Sequence, residues 1–168
     1  MKITAIADID SEKVKEVAEE YQIPKEFCFS SAEELLAQER LADVMFITTQ
    51  DRQHVSHAIP ALEKGYDLLL EKPISPNPRE CMEIEGKAKT LGKKVTVCHV
   101  LRYTNFFGTL KQIIDSGELG KIVAIKHSEN IGNFHMAHSF VRGNWRNDTL
   151  SSPIIMQKSC HDLDILLW

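Results

Sequence analysis

Two short stretches hold the side chains best suited to proton chemistry, Glu71-Lys72-Pro73 and His161-Asp162-Leu163-Asp164. The first closes a short apolar run, Asp67-Leu68-Leu69-Leu70. An amine and a carboxylate just past such a run sit at a strand's carboxyl end, the edge where open parallel sheets bind ligands. Pro73 stops the strand, since proline has no N–H for a ladder. An isolated Glu-Lys is more often a surface ion pair; the framework around this one sets it apart. In the second stretch, a helix places His161, Asp164, Ile165 and Trp168 on one face, with Gln157 one turn before His161. Such a group can position a general base or ligate a metal. A lone histidine on an amphipathic helix is more often a packed or capping residue.

Cys160 does not extend this to Cys–His catalysis, because adjacent helical residues point about 100° apart. His54 and His57 are three residues apart without a nearby acidic third ligand, and no metal site is assigned. A metal-dependent hydrolase using His54, His57 and His161 with Asp162 or Asp164 is the alternative these residue types leave open. Thr48-Thr49-Gln50-Asp51-Arg52-Gln53-His54 follows the most apolar strand. Polar groups at that edge can line a nucleotide crevice, and a capped helix start accounts for several of them equally well.

These groups need elements to hold them, and strand and helix signals alternate at βαβ spacing. Residues 3–9 read as a strand ending near Asp8, and Asp10-Ser11 as an N-cap. Val14, Val17, Ala18 and Tyr21 form one helical face, which Pro24 ends. A short strand over 27–30 leads into a capping box at Ser30-x-x-Glu33. Residues 43–49, nearly all apolar, read as a parallel strand covered on both faces. A helix over 52–64 contains Pro60, whose interior placement costs about 3 kcal/mol and implies a bend or a late start. Gly65 is its stop. The strand 68–70, a helix over 78–91 stopped by Gly92 and a strand over 95–100 complete half or more of a doubly wound sheet. Beyond residue 100 the pattern predicts a helix over 105–116 ending at Gly117, a strand over 122–128 with one wet face, an irregular stretch over 129–153 and a helix from Ser159.

Asp8 ends the first strand. In a dinucleotide fold, an acidic residue roughly 20 positions after the glycine loop binds the adenosine ribose hydroxyls. A carboxylate there repels a 2′-phosphate, so NAD is preferred to NADP. A second reading makes Asp8 or Asp10 a simple cap for the next helix, and both readings stand. No Gly-x-Gly-x-x-Gly occurs, and only seven residues precede Asp8. The backbone donors that bind a pyrophosphate at a helix N-terminus therefore have no counterpart. The chain reads as an internal piece of a longer one, cut at both ends.

Bulk properties agree with a soluble, cytoplasmic protein. Hydrophobic content of 43% supports a core, and a net charge of -4 gives no reason to expect nucleic acid or an anionic membrane as partner. No apolar run approaches the roughly 20 residues of a membrane span. Cys28, Cys81, Cys98 and Cys160 are scattered, as suits reduced thiols.

Taken together, these segments resemble the Gfo/Idh/MocA oxidoreductases. The matching run comprises Asp8, the strand through Thr48-Thr49, His54, Ala61-Leu62-Glu63-Lys64-Gly65 and Leu69-Leu70-Glu71-Lys72-Pro73. It continues through Arg102-Tyr103, Ile114-x-x-Gly117-x-x-Gly120-Lys121-Ile122, Trp145-Arg146 and His161-Asp162-x-Asp164. The resemblance implies an α/β protein: an incomplete Rossmann-type doubly wound parallel sheet over 1–100, followed by the beginning of an open-sheet α/β substrate domain over 101–168. It implies hydride transfer between NAD and a sugar, cyclitol or related polyol, and a homo-oligomer for the full-length protein. Lys72 would lie beside the nicotinamide and His161 would be the acid/base. Asp8, Thr48, Thr49, His54, Glu71, Lys72, Arg102, Trp145 and Arg146 would meet the cofactor. Many members carry Asp one turn before the histidine, where this chain has Gln157 followed by Lys158, which would face the substrate. His135, His138, Arg142 and Asn144 would shape its pocket. The absent glycine loop supports a second reading, a non-catalytic or degenerate member that binds no dinucleotide or only a small ligand.

Overall fold

The computed structural model describes residues 2–147, 149 and 151–168, without the side chain of Asn144. The chain divides into two compact units. Unit 1 comprises Met1–Thr49, Gln53–Leu70 and Asn77–Thr96, and unit 2 comprises Gln50–Arg52, Glu71–Pro76 and Val97–Trp168.

Unit 1 is an alternating α/β unit. Strand β1 (Ile6–Ala7) pairs in parallel with β2 (Cys28–Phe29), Ile6 opposite Cys28. Between them runs α1 (Ser11–Tyr21). Asp10 caps it, accepting from the backbone N–H groups of Glu12 and Lys13 at 3.1 and 3.4 Å, and so satisfying two amides with no intrahelical partner. Its end is set before Pro24 is reached: Gln22 turns left-handed, and Ile23 bonds back to Ala18 O at 2.9 Å, a Schellman-type closure.

Helix α2 (Ala32–Ala37) starts one residue later than the expected capping box. Ser31 accepts from Glu34 N, while Glu34 Oε2 takes both the N–H and the hydroxyl of Ser30 at 2.8 Å. The same two residue types do the work, displaced by one position, because Glu34 is the acid placed to reach back.

Strands β3 (Val44–Ile47) and β4 (Asp67–Leu70) pair in parallel with Ile47 opposite Leu70, and β5 (Val95–Val97) lies beside β4. They are connected through α3 (His54–Glu63) and α4 (Pro78–Leu91). Ala58, Ala61, Leu62, Leu68, Leu70 and Ile84 form the centre of the core. The double covering expected of β3 is not found, since Val44 and Phe46 remain 45% and 47% exposed; the strand alternates, with α3 packed against it. Helix α3 begins at His54, after a 3₁₀ turn over Asp51–Gln53, and keeps Pro60 inside it. Helix α4 is framed as its sequence demands, with Asn77 accepting from Arg79 N, proline in the first turn and Gly92 at φ 63°.

In unit 2, a 3₁₀ turn over Val100–Tyr103 follows β5, so the strand expected to reach residue 100 stops at Val97. Helix α5 (Asn105–Asp115) follows. No strand forms over 122–128, where Val123 and Ile125 are largely exposed. Alternation alone does not make a strand; its N–H and C=O groups need a neighbouring ladder, and none pairs with it among the described residues. The stretch read as irregular contains helical turns: α6 (Asn133–His135), a wide turn over Met136–Arg142 and a 3₁₀ turn over Asn144–Arg146. Helix α7 (Ile154–Leu167) starts five residues earlier than expected, which brings Gln157 into the helix.

Two substitutions test the core of unit 1. Leu70, fully buried at 0% exposure, should lose about 2–5 kcal/mol of unfolding free energy on replacement by Ala. Tyr66→Phe removes the hydroxyl that accepts from Leu41 N at 2.7 Å, and should cost about 1–3 kcal/mol. Urea titration followed by circular dichroism measures both.

Candidate active site

Helix α7 presents Gln157, His161 and Asp164 in successive turns. Lys72 follows β4, in the segment Glu71–Pro76 of unit 2. Its Nζ donates to Gln157 Oε1 at 3.4 Å. Gln157 Nε2 in turn donates to Asp51 Oδ2 at 2.8 Å, and Ser152 N donates to the same oxygen. Lys72 thus contacts the residue one turn before His161 on α7.

His161 is placed to stay neutral. Burial pushes its pKa below the ordinary 6.5, and the Lys72 ammonium adds to this. Its Nδ1 is buried without a partner among the described residues. The His99 ring stands edge-on to it, centroids 5.7 Å apart. His99 is itself lowered by burial, against the pull of Asp164, whose Oδ1 is 3.9 Å from His99 Nε2. Asp164 is gripped by Arg102 through two 2.6 Å bonds. That fork holds the Asp164 carboxyl below the usual carboxylate range. Glu71 turns back to accept from Lys72 N at 3.1 Å. Burial, then the Glu71 charge, pushes the Cys98 thiol up.

The other expected cofactor residues of unit 2 are less gathered. Arg102 is committed to Asp164 and stands 5.5 Å from the Trp168 ring. Trp145 lies in the turn Asn144–Arg146, its ring 6.5 Å from Phe140, and Arg146 is exposed. Lys158 Nζ is 2.7 Å from His135 Nε2 and lies over the Phe140 ring. His138 stacks on Phe134, Arg142 is exposed, and the Asn144 side chain lies outside the described residues.

In unit 1, Asp8 Oδ1 accepts from Asp10 N at 2.9 Å just past β1, so its carboxylate is oriented at the strand end. Thr48 and Thr49 are exposed. Thr49 Oγ1 bonds His57 Nδ1 at 3.1 Å, and buried His54 donates Nε2–H to Thr49 O at 3.0 Å. The ligands of the alternative hydrolase are otherwise engaged: His57 with Thr49 and Glu33, Asp162 with His127, and Asp164 with Arg102. His127, Glu129 and Asp162 offer ligand atoms within 4.8 Å of one another, but His127 and Asp162 already bond each other at 2.7 Å.

Two residues of this site had no signal of their own. His99 was indistinguishable from the end of a strand, and Asp51 from a helix cap. The placement of each follows from contacts 65 and 106 positions apart in the chain, His99 with Asp164 and Asp51 with Gln157.

Residues 1–99 match the oxidoreductase family with an NAD-binding Rossmann fold, and residues 111–168 match its C-terminal alpha/beta domain. Among curated relatives, inositol 2-dehydrogenase of Burkholderia lata is 26% identical over 99% of this chain and 46% of its own length. The bovine trans-1,2-dihydrobenzene-1,2-diol dehydrogenase is 29% identical over 81% of this chain and 40% of its own. The structure of scyllo-inositol dehydrogenase from Lactobacillus casei, solved with NAD(H) and scyllo-inositol, shares the fold at a TM-score of 0.81. It is 20% identical, and the match covers 99% of this chain and 48% of that one. The chain therefore spans less than half the length of these relatives. No helix among the described residues is long and apolar enough to cross a membrane.

The histidine shifts set a pH dependence. His99 and His161 have native pKa values below the ordinary 6.5, so the unfolded chain takes up their protons first. Stability should fall as pH drops through about 6.5 and level off once both native groups are charged; urea midpoints measured from pH 7.5 to 5 check this. Arg102→Met removes a cation that depresses His99, and should raise the His99 midpoint in an NMR titration of the ring protons.

Proposed function

The chain belongs to the Gfo/Idh/MocA oxidoreductase family, and from that premise we propose that it carries the acid–base machinery of an NAD-dependent dehydrogenase acting on a sugar, cyclitol or related polyol. The observation that carries this reading is the meeting of Lys72 with Gln157, one helical turn from a neutral His161. A neutral imidazole whose pKa lies near or below neutrality can take a hydroxyl proton and return it. Lys72 exchanges Gln157 Oε1 for the substrate oxygen and stabilises its developing charge. Gln157 and Lys158 face the rest of the substrate.

NAD, when bound, supplies the carbon that accepts the hydride. Asp8 fits the ribose diol, since its carboxylate is already turned past the strand end by Asp10 N, and its charge disfavours a 2′-phosphate. Thr48, Thr49, His54, Glu71, Arg102, Trp145 and Arg146 would complete the cofactor's surroundings. On this reading residues 1–100 serve the nucleotide and 101–168 open the substrate part. The names of the relatives, inositol 2-dehydrogenase among them, support the polyol class.

A second reading, a member that does not bind dinucleotide, draws on the absence of Gly-x-Gly-x-x-Gly from the 168 residues. NADH fluorescence titration separates the two. The enzyme reading expects weak or no binding by these residues alone and binding once they are joined to an amino-terminal βα unit carrying a glycine loop. In that extended chain, Lys72→Met should lower kcat with a matched polyol by about 10²–10⁴-fold while NADH binding persists. Turnover unchanged by the substitution would remove Lys72 from the mechanism.

A further inference from the structure

We propose that Asp51 is the positioning residue for Lys72, acting through Gln157. It fixes the amide so that oxygen, and not nitrogen, is presented to the ammonium. The inference deepens the reading of Lys72 given above and rests on it for its catalytic consequence; the geometry stands independently.

A glutamine amide has one accepting end and one donating end of nearly equal size. Nothing in Gln157 itself decides which end faces Lys72. The decision comes from the other side. A carboxylate only accepts, so the group that Gln157 turns toward Asp51 Oδ2 at 2.8 Å is its NH2. Its oxygen is then left for Lys72 Nζ, at 3.4 Å. A flipped amide would set N–H against ammonium and oxygen against carboxylate, two repulsions in place of two attractions.

Asp51 is itself fixed. It is 3% exposed, and Gln157 is 4% exposed. Ser152 N donates to the same Oδ2, and Arg52 Nε donates to Ser151 O at 3.3 Å, tying the two segments at adjacent positions. Gln157 is anchored from its backbone, where its N–H meets Pro153 O in the first turn of α7. The other oxygen of the carboxylate, Oδ1, is buried without a partner among the described residues. A backbone cap for Ser152 alone would be served by any acceptor; a buried anion with one oxygen unsatisfied exceeds that need.

The arrangement has a chemical consequence. Lys72 faces a neutral acceptor with a full negative charge one amide behind it. A carboxylate in direct contact would hold the ammonium as an ion pair. The long bond to a polarised amide holds it in place and still lets a substrate hydroxyl displace the amide oxygen. Glu71 Oε2 takes the Lys72 backbone N–H and not its ammonium, and the Lys72 charge reaches His99, Cys160 and His161.

The test exchanges the two functional groups. In the 168-residue chain, NMR at fixed pH follows the Gln157 side-chain NH2, assigned with Gln157→Ala, and the ¹³Cε signal of Lys72, assigned with Lys72→Met. Asp51→Asn keeps an acceptor for Ser152 but removes the charge that orients the amide, and should speed exchange of the Gln157 NH2 by about tenfold and displace the Lys72 signal. Gln157→Glu alone sets two buried carboxylates against each other, and should lower the unfolding midpoint. The double variant D51N/Q157E restores an amide–carboxylate pair in reversed order, with the carboxylate directly on Lys72. It should recover the unfolding midpoint lost in Gln157→Glu. In the unsubstituted chain the Gln157 side-chain NH2 should exchange slowly with solvent, a reading that holds even if a variant fails to fold. A Lys72 signal unmoved by Asp51→Asn, or a fast-exchanging Gln157 NH2, would reduce Asp51 to a cap for Ser152. If the signals respond as stated but Lys72→Met leaves turnover of the extended chain intact, the positioning stands and the catalytic role of Lys72 falls.

Discussion

The site depends on one amide held between opposite charges. Gln157 has Asp51 on its nitrogen and Lys72 on its oxygen, and neither contact would survive without the other in its present sense. That sandwich sets where the ammonium sits on α7, and with it the distance over which its charge reaches His161. The low pKa of His161 is a joint product of burial and that charge. Lys72 and His161 thus bring a cationic donor and a neutral imidazole to α7, the two groups on which the proposed proton transfer draws.

A second polar chain stabilises the same helix further along. Arg102 forks onto Asp164, and Asp164 faces His99, which stands against His161. Arg102 is bound so firmly by a carboxylate that its guanidinium serves the helix first. The planar, two-pronged geometry suits that duty better than a point charge would. Both polar chains act on α7 from segments distant in sequence, so His161 is fixed by neighbours on two sides rather than by its own helix alone.

Elements whose limits are written in local chemistry were legible. Pro78 at one end and Gly92 at the other framed α4 as found, and Asp10 capped α1. Gly65 and the apolar run before Glu71 placed β4 and the lysine that follows it. The failures share a cause. The strand read over 122–128 requires a ladder that alternation does not supply. The double covering of β3 requires packing on both faces, which apolar composition only permits. Helix α7 begins at Ile154 because Pro153 offers a favourable entry; the weak helical signal over 154–158 hid this.

The sequence by itself determined the alternating α/β order, the positions of Lys72 and His161, and the kinship they imply. These follow from short-range rules: caps, turn residues, periodicity and a motif at a strand end. Only the tertiary structure decided that Asp51 and His99 belong to the same site, and which end of Gln157 faces the ammonium. Those outcomes rest on hydrogen bonds and charges spanning tens of residues, and an amide has no orientation until its neighbours on both sides are in place.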